Sequence, residues 1–439
     1  MLAAHREGGK HRSRQSNDAR INIKPEETVM HLTDDERAML AGEAGPARQW
    51  AIDHQMRVGR YLGAADFVPV SQAHIMADTE SLGVAGVEWL ERLAAFPSDQ
   101  RQVCIPTITD PRGTDFASAH RLKQQDWMLD LERRAIAAFQ AMGILMTDTC
   151  INYQTIMPAV RGEHMAYGDT GVVIYANSVL GARSNFEGGP SALAAGLTGR
   201  TPRYGFHLEQ QRRATLMIDV VKTPDELTDW GALGGIVGRL AGDYWQVPAL
   251  RGIDRVPGSD EMKHFGAALA SYGSVALFHM LGVTPEAQDL VDSTMAATAR
   301  ITPADIIAFQ RAYRAGIDTV DVVVFSAPQL SLMEMRSIAD LLDGRRATVP
   351  LLVITSPQVK PDADRLGLTA RMDAAGALVL SGMCFYQSYA REMAEANGWR
   401  TLATNSAKLT NILGGYGYRP ALLSMAECVD AACIGRIGS

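Results

Sequence analysis

The chain has 439 residues, with 42 Lys and Arg against 49 Asp and Glu. The resulting net charge of −7 is spread along its length and offers no basic patch for a nucleic acid or an anionic membrane. Five cysteines, far apart except for Cys428 and Cys433, do not form a secreted disulfide framework, and no run of about eighteen apolar residues is present to span a bilayer. These features predict a cytoplasmic protein with two or more lobes.

Residues 1–30 are basic and polar without an apolar h-region, so they read as a disordered tail and not a signal peptide. Order begins at Thr33-Asp34-Asp35-Glu36, whose capping-box spacing predicts a helical region past Gly42–Gly45 towards Leu62. Phe67–Val70 reads as a short strand, followed by His74, whose two ring nitrogens suit either a ligand or a loop. Cys104, in a strand-like Val103–Ile105, reads as packing, as do Cys428 and Cys433 in an Ala-rich terminal helix. Cys150 differs, because small polar residues flank it at an element boundary.

From Val172 the residues VVIYANS read as an apolar strand, followed by Asn177, Arg183, Ser184, Asn185, Glu187, Gly188 and Gly189. Pro190 suits the first turn of a helix that Gly199 ends. Two glycines directly before a helix let backbone amides approach an anion. Glu187 would repel that anion unless it met an amine, carried a proton or paired with Arg183, so the segment is either a recognition site or a capped turn with a structural Arg183–Glu187 pair. Pro257–Ile301 reads as helical, with Ala267–Met280 a buried helix whose Gly and Ala let neighbours pack closely.

The C-terminal third alternates strands at Thr319–Phe325, Val349–Ile354, Ala377–Leu380 and Thr401–Ala403 with helices at Ser331–Leu342 and Ser388–Asn397. That alternation predicts a parallel α/β unit whose post-strand loops share one edge. Cys384 and the run Thr404-Asn405-Ser406 with Lys408 lie at such loops, gathering a thiol, hydroxyls, an amide and an ammonium for a soft metal centre and an anionic substrate.

The segment Ala176–His207 resembles the signature of the aconitase X family, the divergent dehydratase branch of the aconitase superfamily. Matching stretches extend over the chain, at LTDDERAMLAGEAG, Val70–Ile75, Gly162–Ala166, Gly231–Gly234 and Thr404–Lys408. The resemblance implies an α/β, multi-lobed large subunit with parallel-sheet lobes (31–169, 170–302 and 303–439). The small swivelling domain is lacking, so a separately encoded small subunit would complete the active site. It further implies a hydro-lyase acting on a β-hydroxy acid with an iron–sulfur cluster as Lewis acid. Cys150 and Cys384 fall on the family's ligand cysteines. Where the archaeal pattern has Cys-Pro-His-Cys-Ser, this chain reads Ala327-Pro328-Gln329-Leu330-Ser331, so a two-iron cluster is preferred over a three- or four-iron one.

On this reading Lys408 and Ser406 grip the substrate carboxylate, with Thr404 and Asn405 beside them and the Gly188-Gly189 amides assisting. Glu187 meets a ring amine, which favours cis-3-hydroxy-L-proline over mevalonate 5-phosphate. Ser71, His74, Asn177, Arg183, Ser184 and Asn185 complete the expected substrate contacts. The proton-transfer base is either a serine from the swivelling part or His164, and a noncatalytic scaffold paired with a small subunit is the alternative of another class.

Overall fold

The computed structural model describes residues 29–438, so residues 1–28 of the expected tail lie outside it. Thr33 and Glu36 form the capping box that opens the helix Asp34–Ala41, and Gly42 at φ 86° closes it before the helix Pro46–Tyr61. Three parallel sheets follow along the chain. The first is short, in the order Thr107–Thr109, Ala73–Ile75, Ala166–Tyr167, so His74, which follows the strand Phe67–Pro69, lies within a strand of its own. The second runs His279–Met280, Pro248–Arg251, Leu216–Val220, Ala297–Ile301. The third has five strands, in the order Ala377–Ser381, Leu351–Thr355, Val322–Leu330, Thr401–Thr404, Arg419–Leu422. Phe67–Pro69 pairs separately, antiparallel to Arg200–Pro202. The expected α/β class with parallel sheets is what the structure has.

Three local expectations are corrected. The run from Val172 is not a strand but the helix Thr170–Ser178, capped by the Asp169 carboxylate accepting from the Val172 amide at 3.0 Å. Val172–Ser178 are all buried, and an element buried on every side shows no periodicity by which to tell helix from strand. Pro257–Ile301 is not helical throughout: the helix Ser259–Gly273 stops at Ser274 in the left-handed region (φ 56°), and the apolar run beyond it enters the second sheet. Cys104 is exposed and outside any strand.

The helices Leu227–Ala241 and Ser259–Gly273 pack closely because glycines face the contact. A Cβ on Gly234 would lie 2.2 Å from the Phe265 carbonyl oxygen, and one on Gly273 would lie 2.4 Å from that of Gly238. Backbone cannot yield as a flexible side chain does, so the helices would have to separate. Ala407, at the start of the Lys408 helix, rests on the same layer 3.2 Å from where a Gly231 Cβ would stand. Gly234→Ala is expected to lower stability by roughly 1–3 kcal/mol or more, read as a reduced midpoint in denaturant unfolding. A surface substitution such as Arg239→Lys is expected to be milder.

Candidate active site

The loops that leave the strands deliver chemically active side chains to one buried region. Lys408 occupies the first turn of the helix Ala407–Ile412, which follows the strand Thr401–Thr404 and is capped by Ser406. Its ammonium lies 3.3 Å from Asp169, and both side chains are about 5 % exposed or less (5 % and 3 %). Because Asp169 also caps the helix Thr170–Ser178, the ion pair joins the middle of the chain to its C-terminal sheet. Burial works to raise the Asp169 carboxyl, but Lys408 and the Val172 amide hold it below the usual carboxylate range. Burial likewise works against the Lys408 charge, which Asp169 and the neighbouring thiols and Asp110 more than offset. The ammonium also stands 5.3 Å above the Tyr386 ring.

Asp110 follows the strand Thr107–Thr109 and is fully buried. Burial and the nearby Asp169 charge push its carboxyl well above the ordinary range, in the direction that favours its protonated form. One oxygen accepts from the Gln387 amide at 2.9 Å, while the other has no hydrogen-bond partner and lies 3.6 Å from His74 Nε2. His74 is spent on the Thr149 carbonyl through Nε2 (2.9 Å), leaving its Nδ1 unpartnered, and burial lowers its pKa. A buried acid and a buried imidazole edge without partners are suited to a polar group that arrives with the substrate.

Cys150 and Cys384 are both buried, and each influences the charge of Lys408. Burial pushes the Cys150 thiol well up, with Cys384 next, and raises Cys384 to about 12. Ser326 Oγ lies 3.7 Å from the Cys384 sulfur. The place of a third ligand is filled otherwise: Ala327 offers a methyl, Leu330 an isobutyl group, and Gln329 an amide committed to neighbouring backbone. Among the described residues no group of three or more His, Cys, Asp or Glu is placed to hold a metal ion. These donors fit a thiophilic centre held by two thiolates of this chain and do not fit a cluster requiring three of its cysteines.

Other expected site residues lie apart from this cluster or are spent on structure. Asn177 bonds the Ser184 amide and carbonyl and the Ala276 carbonyl; Ser184 accepts from the Tyr167 amide; Asn185 ties down Phe206, Tyr204 and Tyr244. Ser71 donates to Glu163. His164 stacks on His207 with their Nδ1 atoms 2.9 Å apart. The Arg183–Glu187 pair of the alternative, capped-turn reading does not form: Arg183 donates to the His207 carbonyl and faces Glu209, whereas Glu187 accepts from the Thr201 hydroxyl at 2.8 Å. Gly188 caps the helix Gly189–Thr198, and a Cβ there would meet nothing within 4 Å, so its backbone is open to approach. Ser406 donates to the Ala327 carbonyl, Thr404 accepts from the Ser406 amide, and the Asn405 Nδ2 is buried without a partner.

Asp110, Asp169 and Gln329 were not among the expected site residues. Thr109-Asp110-Pro111 after an apolar run and Asp169-Thr170-Gly171 before one are the signals that mark the first two.

Models of the first, second and third domains of aconitase X match residues 29–210, 214–311 and 320–434. The chain belongs to the aconitase X family. It is 34 % identical over 387 residues to the phosphomevalonate dehydratase large subunit of Methanothermobacter thermautotrophicus, covering 88 % of this chain and 94 % of that one. It is 33 % identical to the cis-3-hydroxy-L-proline dehydratase of Pseudomonas aeruginosa, covering 91 % of this chain and 70 % of that protein. The crystal structure of Thermococcus kodakaraensis aconitase X in its holo-form superposes with a TM-score of 0.81 at 30 % identity, over 92 % of this chain and all of that one. The protein is thus an aconitase X-type dehydratase, a hydro-lyase. No helix among the described residues is long and apolar enough to cross a membrane.

Glu187 supplies a pH test. Its buried carboxyl is pushed up from 4.5 to about 7 by desolvation, against the Thr201 bond. Above pH 4.5 the unfolded chain loses this proton while the native state keeps it. The group therefore makes stability fall as pH rises from about 4.5 to about 7, by a few kcal/mol at most, after which the effect is constant. Glu187→Gln is expected to gain thermal stability relative to the parent as pH rises from 5 to 8, read by parallel melts at both values.

Proposed function

We propose that this chain is the large subunit of a dehydratase that removes water from a β-hydroxy carboxylate, with mevalonate 5-phosphate the preferred substrate. The observation that carries the reaction class is the buried Lys408–Asp169 pair beside Asp110, one of whose carboxyl oxygens has no partner, and the two thiols. Lys408 has three donors, enough to keep Asp169 and hold a substrate carboxylate as well. A base of the small subunit takes the hydrogen next to that carboxylate as a proton, and as negative charge develops there the same ammonium stabilises it in surroundings where little water competes. Asp110 carries the proton that the departing hydroxyl needs to leave as water. A two-thiolate metal centre, when bound, would supply Lewis acidity towards that hydroxyl.

Two considerations favour the phosphorylated acid. Relatives from Methanothermobacter thermautotrophicus and Thermococcus kodakarensis, at 34 % and 31 % identity, are named phosphomevalonate dehydratase large subunits, and this chain spans 94 % and 100 % of their lengths. An imino acid would need Glu187 to meet its ring amine, and Glu187 is committed to Thr201. The name of these relatives also supports a separate small subunit as partner. Cis-3-hydroxy-L-proline is the second reading, favoured by the lack of a thiol at Ala327 and Leu330 and by the Pseudomonas relative.

The test is anaerobic co-expression with a small subunit, followed by assays of both compounds. Turnover of mevalonate 5-phosphate is expected, with Asp110→Asn and Lys408→Ala each lowering kcat by roughly 10²–10⁴-fold. Turnover of hydroxyproline alone would transfer the assignment to the second reading. Inactivity towards both, in an assembled and metal-loaded complex, would overturn the substrate class.

A further inference from the structure

Gln329 lies at the end of the long central strand Val322–Leu330 and is completely buried. Its side-chain amide uses every polar atom to join two other segments. Nε2 donates to the Asp148 carbonyl at 3.0 Å and to the Met383 carbonyl at 3.2 Å, while Oε1 accepts from the Cys150 amide at 3.3 Å. Its own backbone amide donates to the Cys150 sulfur at 3.4 Å, and its carbonyl accepts from Lys263 at 3.3 Å. Lys263 is anchored in turn by Glu334 and by Asp260, the latter at 3.0 Å. One residue therefore spans the loop before Cys150, the residue before Cys384 and the helix Ser259–Gly273.

We propose that Gln329 is a positioning residue that holds the Cys150 and Cys384 loops as a preassembled pair of thiols, so that their arrangement does not depend on a bound metal. In a site assembled by its metal, ligand loops are free until the ion joins them, and part of the binding energy is used to order them. Here the amide crosslink orders them on folding. The cost of leaving any of its buried polar atoms unmatched makes the arrangement specific. The buried ammonium of Lys263 fixes the backbone of Gln329 itself, which directs the amide between the two loops. This inference concerns the spacing of the thiols and does not rest on the identity of the substrate.

Two variants of the full-length chain, Gln329→Ala and Gln329→Glu, test it against the parent in the metal-free state under anaerobic conditions. Gln329→Glu keeps length and acceptor atoms but, even when protonated, offers one donor in place of the two N–H bonds to the Asp148 and Met383 carbonyls. Maleimide labelling with peptide mass spectrometry reads each cysteine separately. Both variants are expected to label faster than the parent at Cys150 and Cys384, by roughly tenfold or more for the loss of buried hydrogen bonds, all three side-chain bonds in Gln329→Ala and at least one in Gln329→Glu. Cys428 is the internal control, fully buried in the helix Met425–Ile434 and untouched by Gln329. It is expected to keep the parent rate. A titration with Cd²⁺, followed by thiolate-to-metal absorbance, should show affinity weakened by about the same factor. An equal rise at all three cysteines would mean general loosening and would overturn the proposal. So would unchanged labelling of Cys150 and Cys384, or parental Cd²⁺ affinity in Gln329→Glu. If Gln329→Ala fails to fold, the comparison of Gln329→Glu with the parent decides it.

Discussion

The buried ion pair between Lys408 and Asp169 is the constraint around which the site is arranged. Two carboxyls and two thiols share a region closed to solvent, where an ionised group costs several kcal/mol unless it is paired. Lys408 relieves that cost for Asp169, while burial and the Asp169 charge bias the Asp110 carboxyl towards its protonated form. The consequence is chemical as well as structural. A site containing one cation, one paired carboxylate and a second carboxyl biased towards protonation can hold an anionic substrate and offer it a proton.

The fold brings these groups together by using the same residue for a structural and a site role. Asp169 caps a helix and pairs with Lys408. Ser406 caps the Lys408 helix and donates to Ala327 at the neighbouring strand end. The glycine layer between Leu227–Ala241 and Ser259–Gly273 lets the Lys408 helix approach closely, and that approach sets how far the ammonium reaches. Changes at Gly231 or Gly234 would therefore be felt at the site although neither residue touches its polar groups.

Much of this was legible in the sequence because it follows short-range rules. The capping box at Thr33, the Pro190 helix start, the Gly199 stop and the alternation of the C-terminal third depend on local spacing, and the elements appear within a few residues of their expected ends. Cys150, Cys384 and Lys408 stood out because each lies at an element boundary. The helix Thr170–Ser178 was misread because an all-round buried segment carries no periodic signal. Asp110 and Gln329 were hidden for another reason. Their roles come from partners such as Gln387, Asp148 and Met383, which the chain brings near only after the sheets have formed. Glu187 shows the converse: its neighbours in sequence suggested a ligand or Arg183, and tertiary structure supplied Thr201.

The most direct test of the account is a double-mutant cycle on the central pair, comparing Asp169→Asn, Lys408→Met and the double variant by denaturant unfolding. Each single change is expected to cost roughly 3–5 kcal/mol by leaving a buried charge uncompensated. The double variant should recover much of that loss, for a coupling of about 2 kcal/mol or more between the two positions. Additive effects, agreeing to within about 0.5 kcal/mol, would contradict the claim that Lys408 and Asp169 sustain one another inside the site.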